Sequence, residues 1–189
     1  MDVEPRTHAE IVRALVEVED EVASFFGGLS ASDFLYRQGE AWTPAEQLRH
    51  LTRSVRAVGR AFSLPAWLLL VRFGWRRGAS RSFAEVRETY RAALAAGGRA
   101  TGEYVPPREE VRAEEAAAYQ RGLVERWRAA SAGLRRGVER WGEGPLDRVR
   151  LPHPLIGYLS AREMLFFTLY HDLHHVRAAA GRLPGATPR

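Results

Sequence analysis

The sequence predicts an all-α protein, and three observations carry that reading. Apolar residues recur at three-to-four spacing through several long stretches, two of those stretches open on capping-box signatures, and no alternating apolar and polar run competes with them as a strand. The first helix is predicted from about His8 to Phe26, with Ile11, Leu15, Val18, Val22 and Phe25 on one face and Gly27-Gly28 as its stop. The second opens at Thr43-Pro44-Ala45-Glu46, where Thr43 suits the cap, Pro44 the first turn and Glu46 the reciprocal contact. Leu48, Leu51, Val55, Val58 and Phe62 form its inward stripe, with His50 at the edge of that stripe.

The connector that follows, Ser63 to Trp75, is too short to cross a bilayer yet unusually apolar for a surface segment. It is expected to be covered, as a subunit contact or a lid ahead of an interfacial membrane anchor. A shorter helix is predicted from Ser82 to about Ala96, and Thr101 to Pro107 reads as an ordered loop because Pro106-Pro107 cannot continue a helix. One long helix is then expected from about Arg108 to Trp141, ended by Gly142-Glu143-Gly144-Pro145. A loop through Leu151-Pro152-His153-Pro154 leads to Ser160-Ala161-Arg162-Glu163, the second capping box, and to a last helix through about Ala180 that Gly181 closes. The tail, 183–189, is rich in Pro and Gly and is expected to fray.

Composition narrows the function. A chain of 189 residues fits one domain, and 46% apolar with 27% charged residues is the balance of a globular protein. No run reaches the roughly 18 apolar residues of a membrane span, and the start lacks a secretory pattern, so a cytoplasmic protein is expected. The absence of cysteine excludes disulfides, thiolate nucleophiles and every Cys-based metal site, so a metal here would need nitrogen and oxygen ligands. The net charge of +5 arises from 28 cations, all of them Arg, against 23 anions. Neither Lys nor Asn occurs, which looks like the bias of a GC-rich genome and weakens any case for nucleic acid. Arg49, Arg53, Arg56 and Arg60 line one side of the second helix, but no nucleic-acid motif accompanies them and a solvated face is expected.

The chemistry concentrates in the histidines. Three of the six fall within His171-Asp172-Leu173-His174-His175. On a helix His171 and His175 differ by about 40° around the axis and His171 and His174 by about 60°, so spacing alone admits either pair, with the i, i+4 pair the better-attested metal arrangement. A third imidazole from another helix, such as His50, would leave a vacant position of the catalytic kind, though spacing by itself does not add it. His8 and His153, read singly, are satisfied polar residues by default, although His153 could approach the site. The run is one residue from the zinc-protease pattern H-E-x-x-H, with the shorter Asp172 where the general base would stand, and an all-helical chain leaves little room for a peptide cleft.

Trp42-Thr-Pro-Ala-Glu46-Gln-Leu-Arg-His50-Leu51, together with Pro154-Leu-Ile-Gly157 through Leu169-Tyr170-His171-Asp-Leu-His-His175, resembles the DinB/YfiT-like superfamily of metal-binding helical proteins, in matching order and separation. The resemblance covers most of the chain, from the first helix to Val176. It implies a four-helix bundle with up-down-down-up connectivity, extra short helices in the connections, and one divalent metal ion, commonly zinc or nickel, held by three histidines. Carried over position by position, the ligands are His50, His171 and His175, with His174 outside the set. Members are often homodimers. Some relatives transfer a low-molecular-weight thiol to an electrophile or are thiol-dependent isomerases, and others are metal-dependent hydrolases.

The expected function is accordingly a metal-dependent thiol transferase acting on a small-molecule electrophile with a thiol cosubstrate from outside, since the chain has no cysteine of its own. Arg49 or Arg53 is a candidate for holding carboxylates of that cosubstrate. The alternative is a hydrolase using metal-bound hydroxide, for which Asp172 and Glu46 are the candidate general bases. A third reading is a non-catalytic, stress-related binding protein.

Overall fold

The structure, a computed structural model, describes residues 4–184. Its elements in chain order are α1 (His8–Gly28), α2 (Ala31–Leu35), α3 (Pro44–Ser63), α4 (Ala66–Phe73), α5 (Phe83–Ala95), α6 (Ala116–Glu139), α7 (Glu143–Arg148), β1 (Arg150–His153), β2 (Gly157–Ser160) and α8 (Ala161–Ala180). The four long helices α1, α3, α6 and α8 form a bundle, and the short elements close its ends and flank.

Contacts between named residues give the direction of each helix. Gln120 Nε2 donates to the carbonyl of Phe26, Trp127 Nε1 to that of Glu19, and His8 Nε2 meets the carbonyl of Val138, so α1 and α6 run antiparallel. The Cβ direction of Gly59 points at Leu134 and that of Gly137 at Phe62, which makes α3 and α6 parallel. His50 faces His171, while Gln47 faces His175, so α3 and α8 are antiparallel. Arg162 Nη1 donates to the carbonyl of Arg6 beside the start of α1, which sets α8 parallel to α1. The connectivity is therefore up-down-down-up, as the resemblance implies.

Helix starts follow side-chain chemistry. Thr7, Thr43, Ser82 and Ser160 each accept from the N3 amide while Glu10, Glu46, Glu85 and Glu163 return the contact, giving four capping boxes. At α8 the box is buried: Glu163 is fully buried and also takes Arg76 at 2.9 Å and Arg81 at 3.1 Å, tying the α4–α5 connection to the start of the last helix. The core runs from Ile11, Val22 and Phe26 on α1 through Leu48, Leu51 and Phe62 to Trp127, Leu134, Leu165 and Leu169.

Three expectations are corrected. The long helix does not begin at Arg108. Residues 106–112 form no regular element, Ala113–Glu115 is one 3-10 turn, and α6 starts at Ala116 and ends at Glu139. Arg108 and Glu109 lie outside the helix and pair with Glu40 and Arg49, at 2.5 and 2.6 Å. The loop through Leu151 and His153 is instead one strand of an antiparallel hairpin, in register Leu151↔Leu159 and His153↔Gly157, where Gly157 supplies the positive φ of +73° that the turn requires. Gly142 to Pro145 begin a further helix, α7, after ending α6. The expectation that the tail frays falls mostly outside the described residues.

The close approach of α3 and α6 rests on their glycines. A Cβ at Gly137 would lie 3.0 Å from Phe62 Cβ and 3.2 Å from the Phe62 carbonyl, whereas one at Gly59 would lie 3.5 Å from Leu134 Cα in ordinary contact. Gly137→Ala is expected to destabilise by about 1–2 kcal/mol, as overpacking outweighs the gain in helix propensity. Gly59→Ala is expected to stabilise by up to about 1 kcal/mol. Urea denaturation of both variants checks the opposite signs.

Candidate metal centre

His50 sits two turns beyond the Thr43 cap of α3, and His171 and His175 are one turn apart on α8. Because the two helices run antiparallel, the three rings converge: one ligand nitrogen from each lies within 4.8 Å of the others. The Nε2 atoms of His50 and His171 are 3.0 Å apart. His174 is outside this cluster, its ring edge-on to that of His175 with the centroids 5.5 Å apart.

The far side of two rings is already committed. His50 Nδ1 donates to the carbonyl of Tyr104 at 2.8 Å, and a carbonyl can only accept, so the neutral ring keeps a bare lone pair on Nε2. His175 Nδ1 meets Gln47 Oε1 at 3.0 Å, which leaves its Nε2 for the shared space. Tyr104 is held in turn by the row of arginines. Arg53 donates to the carbonyls of Glu103 and Val105, and Arg49 to that of Pro107 while pairing with Glu109. Arg49 and Arg53 are thus engaged in fixing the 103–109 segment.

Burial sets the protonation. Desolvation pushes His50 below its ordinary value, and it pushes His171 and His175 well below theirs, helped in both by the neighbouring His50 and His174. The rings are neutral near pH 7 and can offer lone pairs. Three buried atoms in the same neighbourhood have no hydrogen-bond partner: His171 Nδ1, Asp172 Oδ1 and Gln47 Nε2. His171 Nδ1 lies 3.6 Å from Asp172 Oδ1, too far for a hydrogen bond, and burial pushes the Asp172 carboxyl well above the usual range. A cation on His171 Nε2 would fix the proton on Nδ1, facing that carboxylate, the arrangement that orients metal-bound histidines elsewhere. The three-nitrogen donor set, the oriented rings and the orphaned pair all fit a divalent ion.

A family model described as the DinB superfamily matches residues 14–179. The chain belongs to the DinB superfamily. Comparison with curated proteins and with solved structures returns no match. Membership agrees with the helical bundle and with a metal-binding role for the clustered histidines.

In this DinB protein the triad opens onto a cavity of about 330 Å³, within the usual range for small-molecule sites. Its walls are largely apolar, including Val58, Phe73, Leu94, Leu155, Met164 and Phe167, and among the described residues no Asp or Glu lines it. Of the two candidate bases, Asp172 is 2% exposed behind His171, and Glu46 serves the Thr43 capping box and pairs with Arg37 at 2.5 Å; neither reaches the cavity. Several lining groups carried no clear signal in the sequence. Trp42 stacks on the His175 ring, with centroids 6.2 Å apart and an interplanar angle of 14°. Burial pushes the Tyr90 phenol up to about 12, so it stays neutral. Arg99 lies at the exposed rim with no acidic partner among the described residues.

His153, which the sequence left undecided, lines the same cavity. Its Nδ1 accepts from the amides of Leu155 and Ile156, at 3.1 and 3.2 Å, so the proton of the neutral ring must sit on Nε2. The result is a neutral N–H donor with a fixed tautomer. Burial pushes its pKa down to about 4. In the unfolded chain it titrates near 6.5, so its contribution is intact above about pH 6.5 and is lost as pH falls toward 4, by up to about 3 kcal/mol. His153→Asn keeps an acceptor for the turn but removes the titration. Its stability is expected to fall less steeply between pH 6.5 and 4 than that of the parent, as read by denaturation at each pH.

Proposed function

We propose that the protein is a metal-dependent enzyme in which His50, His171 and His175 hold one zinc or nickel ion and a low-molecular-weight thiol is transferred to an apolar electrophile. The supporting observation is the convergence of three neutral, oriented imidazoles on one wall of an apolar cavity. A divalent ion held there supplies Lewis acidity, lowering the pKa of a bound thiol or water toward neutrality.

The chain's own groups supply the rest. Tyr104 and Gln47 hold the ring orientations, Phe167, Met164 and Leu155 keep an apolar substrate body out of water, and Trp42 covers the outer side of His175. His153 Nε2–H can donate to an oxygen of the electrophile without changing charge. Arg99 suits an anionic group of the thiol cosubstrate, the role first considered for Arg49 and Arg53.

The hydrolase reading needs a general base, and the cavity wall carries no carboxylate, which favours the thiol reaction. His174, which also lines the cavity, would be the remaining base. Two measurements test the proposal. Protein purified without added metal is expected to carry about one equivalent of divalent ion, and His50→Ala and His175→Ala are each expected to lose most of it, since two ligands hold an ion far more weakly than three. Turnover of an alkyl halide or epoxide is expected only with a thiol present. Release of product from an ester or amide without thiol would establish the hydrolase instead, and full metal content in both variants would refute the site.

A further inference from the structure

The surface around α4 is the most exposed apolar feature of the protein. Val71 is 80% exposed, Trp67 65% and Trp75 64%, with Leu64 and Leu68 close to 40%. These are five of the nine large apolar residues exposed among those described, and they recur at three-to-four spacing within twelve positions. Isolated apolar side chains on a surface need no explanation, but a row of them does.

The surrounding charge is of one sign. From Gln47 through Ala84 the sequence contains eight arginines and no Asp or Glu. Arg49, Arg53, Arg76 and Arg81 are used internally, on the 103–109 segment and on Glu163. Arg56, Arg60, Arg72 and Arg77 are exposed and pair with no acidic side chain among the described residues. Arg72 lies over the Phe73 ring, 5.2 Å from its centroid.

Of the roles open to this segment, a lid fits poorly because its C-terminal end is fastened and Leu69 is buried against the body of the protein. Gly74 N caps the helix on the Leu70 carbonyl, Trp75 bridges to Val149, and Arg76 donates its amide to the Arg148 carbonyl and its guanidinium to Glu163. A symmetric dimer through this face would lay the patch on its own copy, bringing unpaired arginines together with no acid in the segment to offset them. Nucleic acid would meet the cations, but Leu64, Leu68 and Val71 have no base-stacking role to play. No single described helix is long and apolar enough to cross a membrane, and α3 and α4 qualify only together, across a bend of 103°.

We infer that α4 docks the protein on an anionic bilayer surface, with Trp67, Val71 and Trp75 entering the interface and Arg56, Arg60, Arg72 and Arg77 meeting lipid phosphates. A helix lying in the interfacial plane needs one apolar face and flanking cations, and Trp is the side chain that best tolerates the boundary. Each arginine near such a surface is worth about fivefold in binding, so the attachment is reversible and sensitive to salt. Phe73, the last residue of α4, is also a wall of the cavity beside the triad. Docking therefore brings the cavity next to the phase in which apolar compounds concentrate.

Co-sedimentation of the full chain with vesicles tests this, comparing phosphatidylglycerol mixed into phosphatidylcholine with phosphatidylcholine alone. Binding is expected to the mixed vesicles only, to weaken with salt, and to fall more than tenfold in Trp67→Ser/Val71→Asp and in Arg72→Glu/Arg77→Glu. Unchanged thermal unfolding of these surface variants excludes misfolding as the cause. Absence of binding to mixed vesicles at low salt overturns the inference, as does binding that both double variants retain. A parent dimer that Trp67→Ser/Val71→Asp converts to monomer, by analytical ultracentrifugation, assigns the face to a second copy, and equal competition by a short DNA duplex assigns it to nucleic acid; either overturns it.

Discussion

Everything at the centre depends on keeping three imidazoles neutral in a space with little water. A histidine ring in solvent is half protonated near pH 6.5, and three such rings within 4.8 Å would repel one another. Burial removes the charge, and the fixed partners at Tyr104 and Gln47 decide which nitrogen keeps its proton. What is left is a set of lone pairs with nowhere to go except toward each other, and the 3.0 Å separation of His50 and His171 marks the shared point. The desolvation that would be a cost to a charged ring is what leaves the group able to offer lone pairs to a cation.

The bundle supplies this geometry through helix direction. Only because α3 and α8 run antiparallel does a residue two turns into one meet a residue three turns into the other. The parallel contact of α3 with α6, made close by Gly59 and Gly137, holds α3 from its opposite side. At the far end of α8, Glu163 gathers Arg76 and Arg81 around the buried cap, so the helix carrying two of the histidines is anchored where it begins.

The sequence made some of this legible and hid the rest for physical reasons. The Thr43 and Ser160 caps could be read because a capping box is a local pattern, and the helices they start appear where expected. The hairpin escaped notice because its strands are four residues long, and Pro152 and Pro154 read as loop. The start of α6 was misplaced by eight residues because the charges at 108–115 read as helix-favouring, whereas in the fold Arg108 and Glu109 pair with residues distant in sequence, Glu40 and Arg49. At the site, His171 and His175 announced themselves by spacing, while His50 needed a resemblance, since nothing local connects it to a partner 121 residues away. Glu46 looked chemical but is committed to a cap, and His153 looked incidental but lines the cavity.

The acceptor that orients His50 belongs to the peptide backbone of residue 104, whereas the Tyr104 side chain is part of the cavity wall. Those two duties are separable. Exchange of the side chain can reshape the chamber for a different guest while the carbonyl keeps its grip on the imidazole, provided the arginine struts preserve the path of the segment. A scaffold wired in this way lets the shape of the chamber change at no expense to the arrangement of the three imidazoles.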